Sequence, residues 1–322
     1  MTKRPILVTG ATGFVGRMLC AELIRLGNPV QAALRDSASL GVAGCEPVKI
    51  SNIQSDTDWT NALRGVDTVV HLAARVHVMH ETSSDPLSAF RMVNTAGTEN
   101  LARQAVRAGV RRFVYLSSIK VNGEQTLPSR PFTEADLPAP LDPYGVSKCE
   151  AEEGLRKIAQ QTDMEVVIIR PPLVYGPGVK GNFLNMMRWL HKGVPLPLGA
   201  ITNARSLIAL ENLIDLIVTC LHHPNAANQT LLVSDGEDLS TTELLKRTAS
   251  AMGRKARLIP VPELILQTGA RVLGKPELSQ RLCGSLQVDI SKAGELLGWK
   301  PSVTVDQALK KTVEHFLRNQ CG

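Results

Sequence analysis

The chain has 322 residues, 43% hydrophobic, 20% charged and 4% aromatic, proportions that suit a globular protein with one large or two modest cores and exclude a disordered chain or a broad aromatic stacking platform. Its formal net charge is +6, but the lysines and arginines are spread along the chain rather than gathered in runs, which argues against a nucleic-acid partner and fits small phosphorylated ligands. No apolar run reaches the roughly 18 residues of a membrane span, and Cys20, Cys45, Cys149, Cys220, Cys283 and Cys321 show neither a C-x-x-C pair nor metal-ligand spacing, so no span, no metal, no signal peptide and a reducing, cytoplasmic setting are expected.

Short β-branched runs alternate with amphipathic stretches through the first half, the signature of βαβ units. The strands predicted are Ile6 to Thr9, Val30 to Leu34, Pro47 to Ile50, Thr68 to Leu72, Phe113 to Ser117 and Glu165 to Arg170. Helical spacing marks Phe14 to Leu26, Trp59 to Leu63, Asn94 to Ala108 and Tyr144 to Gln161 between them. The fold class is therefore α/β, a doubly wound parallel (Rossmann) sheet. Beyond Arg170 the turn-rich stretch Pro171, Pro172, Gly176, Pro177, Gly178, Gly181 opens a smaller mixed region, with a loop at Val194 to Gly199 and helices at Asn212 to His222 and Thr241 to Met252. The expected division is 1–175 for a nucleotide-binding domain and 176–322 for a substrate region, with the two interleaved.

Directly after the first strand, Thr9-Gly10-Ala11-Thr12-Gly13-Phe14-Val15-Gly16 forms a G-x-x-G-x-x-G loop that leads into a helix. Glycine serves where the backbone turns sharply and lets a diphosphate approach the free N–H groups of a helix start. The second strand ends Leu34-Arg35-Asp36; a guanidinium there can pair with a 2′-phosphate that a carboxylate would repel, so NADP(H) is favoured and NAD(H) stays possible. Tyr144 and Lys148 stand at i and i+4, on one face of a helix, where the cation would favour the phenolate. Ser118 follows the fifth strand at the end where such sheets bind ligands.

Taken in order, Thr9 to Gly16, His71-Leu72-Ala73-Ala74, Asn94 with Gly97-Thr98-Glu99-Asn100, Ser117-Ser118, Tyr144 to Lys148, Arg170-Pro171 and Val174 to Gly178 resemble the extended short-chain dehydrogenase/reductases, the family of nucleotide-sugar epimerases, dehydratases and reductases. The match covers nearly the whole chain and is far more specific for the family than for a substrate. It implies that Tyr144 moves the proton on a sugar oxygen, Lys148 tunes it and holds the nicotinamide ribose, and Ser118 orients that oxygen. It also implies cofactor contacts by Gly10, Thr12, Gly13, Phe14, Val15, Gly16, Leu72, Ala73, Ala74, Asn94 and Pro171, with Asn52 and Ile53 where the family usually carries an adenine-binding aspartate. His71 reads equally well as a packed strand-end residue. Asn182 within Gly181-Asn182-Phe183, Arg205 in Arg205-Ser206-Leu207-Ile208 and, more weakly, Arg281 are the substrate-binding candidates, Arg205 for the diphosphate of a UDP-sugar. Asp289 to Ala293 and Leu297 to Pro301 also match, Trp299 as a packing residue. The family implies a homodimer through a four-helix interface that includes the Tyr144 helix.

Two chemistries fit this centre. A 4-epimerase retains its NAD, whereas a 4-ketoreductase consumes NADPH. A 4,6-dehydratase is disfavoured, because Ile119 and Lys120 stand where an acidic pair is needed. Ser117 to Glu124 resembles a bacterial subgroup holding both UDP-glucose 4-epimerase-like proteins and reductases that form UDP-N-acetylquinovosamine. With Arg35 this favours NADP(H)-dependent reduction of a 4-keto UDP-sugar such as UDP-2-acetamido-2,6-dideoxy-4-hexulose, with 4-epimerisation of UDP-glucose or UDP-N-acetylglucosamine as the alternative. A reductase of apolar ketones would not need Arg205, and a cofactor-sensing scaffold would not need both Tyr144 and Lys148.

Overall fold

A computed structural model describes residues 3–35, 42–76, 85–127, 129–272, 274 and 276–320. The first half follows the expected alternation. Strands β1 (Ile6–Thr9), β2 (Val30–Leu34), β3 (Glu46–Lys49), β4 (Thr68–His71), β5 (Arg112–Leu116) and β6 (Glu165–Arg170) alternate in part with helices α1 (Phe14–Arg25), α2 (Pro86–Phe90), α3 (Gly97–Arg107) and α4 (Pro143–Gln161). The second half adds β7 (Leu173–Tyr175), α5 (Gly181–His191), β8 (Arg205–Ala209), α6 (Leu210–His222), β9 (Thr230–Leu232) and β10 (Asp238–Leu239). Five helices complete it: α7 (Thr241–Ala251), α8 (Glu263–Val272), α9 (Pro276–Cys283), α10 (Ser291–Leu297) and α11 (Val305–Arg318).

The main sheet has seven strands in the order β3-β2-β1-β4-β5-β6-β9, every pair parallel. Parallel strands carry helices on both faces and so read as near-continuous apolar runs; β1 and β4 are buried at every position. Leu19, Cys20 and Leu23 of α1 and Leu213, Leu216, Ile217 and Cys220 of α6 pack one face. Leu101, Ala102 and Ala105 of α3 and Ala151 and Leu155 of α4 pack the other, with Trp59 and Leu63. Because β9 lies beyond residue 175 and pairs with β6, the sheet draws on both sides of the expected division. A second sheet runs β10-β8-β7, with β7 and β8 parallel and β10 antiparallel to β8.

Several element ends shift by a residue or two, β3 running Glu46–Lys49 rather than Pro47 to Ile50, and three differences have a local cause. Trp59 to Leu63 is a turn rather than a helix: it closes one helical bond, Leu63 N to Trp59 O at 2.9 Å, and Gly65 at φ 73° ends it, too short a run for a stable helix. Its i, i+4 spacing reflects two core side chains. The helix expected from Asn94 starts as a π-helical segment, Arg91–Ala96, and becomes α-helical at Gly97. Strand β5 begins and ends one residue earlier than predicted, because Arg112 is buried at its start and donates to Glu165, Cys220 O and His223 O.

Candidate active site

The sheet reverses its winding between β1 and β4, and the crevice at such a switch point is where these sheets take ligands. The glycine loop fills the β1 side. Gly10 adopts φ 68°, and a Cβ there would stand 2.8 Å from the Ala73 nitrogen, so the loop lies against the end of β4. A Cβ on Gly16 would fall 2.1 Å from Gly10 O; only glycine lets α1 start this close to the turn. Gly13 caps α1 in an extended conformation and supplies no side-chain cap, which leaves the first N–H groups of the helix for an anion. Thr12 and Gly13 are exposed, whereas Phe14 and Val15 are partly buried against the core. This cradle fits a dinucleotide diphosphate.

Around it, Ala73 N donates to Thr9 Oγ1 at 3.2 Å and Leu72 N to Thr9 O at 3.3 Å. His71 is fully buried between Thr9 Oγ1 (2.7 Å from Nδ1) and Thr98 Oγ1 (3.0 Å from Nε2). Burial first, then the Lys148 charge, push its pKa down to about 3, so the ring is neutral and ties β1, β4 and α3 together. Asn94 is likewise consumed: its amide nitrogen donates to Arg75 O and Ser147 Oγ, and its oxygen accepts from Arg75 N. Ile53 packs against Gly97, where a Cβ would meet it at 2.8 Å; Asn52 beside it is exposed. Ala74 is half-buried, and Pro171 holds the chain after Ser118 through Ile119 N to Pro171 O, 3.0 Å. Arg35 follows β2 with its side chain exposed, and Asp36 lies outside the described residues.

Helix α4 sets the reacting groups. Asp142 caps it, Oδ1 accepting from Gly145 N at 2.6 Å, with Pro143 at the first helical position. Lys120 donates to Asp142 and, at 3.2 Å, to Glu124, so the residue that departs from the dehydratase pattern fastens the start of this helix. Tyr144, in the first turn, packs edge-on against Phe90 with ring centroids 6.1 Å apart, and the nearby Ser118 side chain favours its phenolate. Lys148 is 2% exposed, donates to Leu116 O at 2.8 Å, and sits 4.5 Å from the Tyr115 ring centroid and 5.9 Å from that of Tyr144. Burial pushes the Lys148 ammonium down to about 7, against the pull of Glu152. The expected lowering of the phenol by this lysine is not what the protein alone produces. Burial, with the Asp142 charge behind it, pushes Tyr144 up to about 12, and the Ser118 side chain offsets only part of this. The cation lies toward the ring, and desolvation of the phenolate outweighs it.

Beneath these groups runs a buried network that the sequence reading missed. Glu152, fully buried, accepts from Ser117 Oγ (2.6 Å), Arg170 Nε (2.9 Å) and Nη2 (2.5 Å), and Arg156 (2.7 Å). Arg170 also donates to Asn122 Oδ1 at 2.8 Å. The pair locks α4 to β5 and β6 on the two residues next to Ser118 and Pro171. Its sequence signal was a glutamate four residues past Lys148, on the face that holds Tyr144 and Lys148.

The second region contributes from further away. Arg205 opens β8, where Nη1 donates to Gly284 O at 2.8 Å and burial lowers its pKa from the ordinary value. Asn203 joins the same carbonyl at 2.9 Å. Arg281 is exposed on α9, which ends at Cys283 just before Gly284, and Asn182 is exposed on the first turn of α5. The structure thus brings Ser118, Tyr144 and Lys148 together, links Arg205 to the end of α9, and leaves Asn182 and Arg281 facing solvent.

Comparison with known proteins agrees with this geometry. The chain is 48% identical over 317 residues, 98% of its length and 96% of the relative's, to a UDP-glucose 4-epimerase of Vibrio cholerae. Its fold is similar to that of a UDP-glucuronic acid 4-epimerase of Bacillus cereus solved with NAD (TM-score 0.78, 22% identity, 98% of this chain and 99% of that one). It is equally similar to MoeE5 in complex with UDP-glucuronic acid and NAD (TM-score 0.78, 25% identity, the same coverage). The model of the NAD dependent epimerase/dehydratase family matches residues 6–233, and with the glycine cradle and the Tyr144–Lys148 pair in place the chain belongs to that family.

Proposed function

We propose that this protein is a UDP-sugar 4-epimerase, acting on UDP-glucose or UDP-N-acetylglucosamine, that keeps NAD bound through turnover. The observation that carries this reading is the 48% identity to a UDP-glucose 4-epimerase over nearly the full length of both chains. It moves the balance from 4-keto reduction, which Arg35 favoured, to the chemistry that stood second. NAD beside UDP-glucuronic acid in MoeE5 supports the cofactor choice, and the exposed side chain of Arg35 suits a solvated surface charge as well as a 2′-phosphate ligand.

A bound nicotinamide supplies the hydride acceptor and donor that interconversion of a secondary alcohol and a ketone requires. Tyr144 Oη takes the C4 hydroxyl proton as the alcohol becomes the ketone and returns it when the opposite face has turned inward. Ser118, whose side chain favours the phenolate, orients the sugar oxygen. Lys148, when protonated, is the cation that lowers the cost of the phenolate. In this reading residues 1–175 supply the cofactor side and 176–322 the sugar-nucleotide side, with Arg205 offering its remaining donors to the diphosphate and Asn182 and Arg281 closing on the same ligand. A homodimer through α3 and α4 completes the assembly, to be checked by sedimentation.

The deciding experiment denatures freshly purified protein and identifies the nucleotide released. Near-stoichiometric NAD(H), with conversion of a UDP-hexose to its C4 epimer and no added cofactor, is expected. An empty site that binds NADP(H) in preference to NAD(H) and reduces a 4-keto UDP-sugar would replace this reading with the reductase.

A further inference from the structure

Helix α8 (Glu263–Val272) turns an aliphatic face to solvent. Leu264 is 74% exposed, Ile265 60% and Val272 82%, and with Thr268 and Gly269 they line one side of the helix, at the spacing of a single helical face. The opposite side is anchored, Leu266 packing against the small core around Leu196, Leu198 and Leu245. Among the described residues no other helix leaves more than one large apolar side chain exposed. Ile259, on the segment that enters α8, is 50% exposed.

The exposed charges along the stretch of chain that leads into and forms α8 have one sign. From residue 254 to residue 272 the exposed charged side chains are Arg254, Lys255, Arg257 and Arg271, all cationic. The single carboxylate of the stretch, Glu263, is half-buried and accepts from Thr202 N at 2.9 Å. An exposed aliphatic helix face on a stretch of chain whose exposed charges are all cationic complements anionic headgroups above an acyl layer. A second copy is a poor occupant, since a two-fold contact would set the same cations against each other. We propose that α8 seats this protein on an anionic lipid surface, its aliphatic face entering the headgroup boundary and the flanking cations meeting lipid phosphates.

The placement has a direction. Helix α8 packs on α9, and Gly284, just past α9, receives hydrogen bonds from Asn203 and Arg205. The docked face therefore adjoins the arm of the second region rather than the glycine loop. No helix among the described residues is long and apolar enough to cross a membrane, so the contact is peripheral.

The test is co-sedimentation of the full chain with vesicles of phosphatidylcholine alone and of phosphatidylcholine mixed with phosphatidylglycerol. The expected result is about tenfold or more enrichment on the anionic vesicles, declining with salt as screened charges require. The double variant Leu264→Asp/Ile265→Asp should lose that binding while keeping its melting temperature and its epimerase turnover. Should it fail to fold, Lys255→Gln/Arg271→Gln, which changes exposed charges, must weaken binding to the anionic vesicles severalfold. Wild-type protein that stays in the supernatant with both vesicle types overturns the proposal. So does equal binding by the α8 variant, or a wild-type oligomer whose mass falls on Leu264→Asp, which would make α8 a contact between copies.

Discussion

The two sides of the active site are held in different ways. On the sheet side, Lys148, Asn94 and His71 are buried and hydrogen-bonded, and Tyr144 stands between a capped helix start and the Phe90 ring. On the other side, Asn182 and Arg281 are exposed on helix surfaces and Arg205 rests on one loop carbonyl. Chemistry that must place a proton to within tenths of an ångström is built on rigid elements. In the proposed function, the second region would meet the sugar nucleotide with groups less firmly held.

Four measurements would break or sharpen this contrast. The largest effect belongs to Tyr144→Phe, which removes the proton carrier from a site that otherwise stays assembled. Turnover should fall by about 10²–10⁴-fold while the bound nucleotide remains; retained turnover would remove Tyr144 from its role. Next comes Glu152→Gln, which leaves the Arg170 guanidinium buried without its carboxylate. A loss of about 3–5 kcal/mol in denaturant unfolding is expected, and a wild-type midpoint would show that the network does not hold the rigid side.

Arg205→Ala examines the adaptable side. A charge-assisted bond to a diphosphate contributes roughly 1.5–3 kcal/mol, so KM for the UDP-sugar should rise about 10–100-fold with kcat little changed. A fall in kcat alone would place Arg205 with the rigid machinery instead.

The smallest effect is read in pH. Burial takes Lys148 down to about 7 in the folded protein from 10.5, so between these values the unfolded chain binds a proton that the native protein does not. Stability then rises with pH across that window, at up to about 1.4 kcal/mol per unit, and the penalty is greatest below it. Tyr144, pushed up to about 12 from 10.0, works the other way above pH 10. Nucleotide-free wild type and Lys148→Met, compared from pH 7 to 10, should differ by a free energy that increases with pH in favour of the wild type; a constant difference would mean that Lys148 is not desolvated.

What the sequence disclosed was local. The glycine loop, the Tyr144–Lys148 spacing and the alternation of strands and helices are each contained within one or two elements, so a short window carries them. The supports of the site are not: Glu152 meets Arg170 18 positions away, His71 meets Thr98 27 away and Thr9 62 away, and nothing in a single sequence pairs such residues. The helix was read from Tyr144, and its Asp142 cap and Pro143 start lie just before that residue. Trp59 and Leu63 mimicked a helix because two core residues fell four apart. Sugar preference stayed unreadable, since exposed groups such as Asn182 and Arg281 leave no periodicity to read.

Strand β9 pairs with β6 although Thr230 follows Arg170 by about sixty residues, and α6, in between, covers the face opposite α3 and α4. A ribosome adding about 5–20 residues per second thus exposes a parallel, apolar strand edge for roughly 3–12 seconds before its partner emerges. The nascent chain is most open to misassembly in that interval, and a chaperone that shields strand edges would act then.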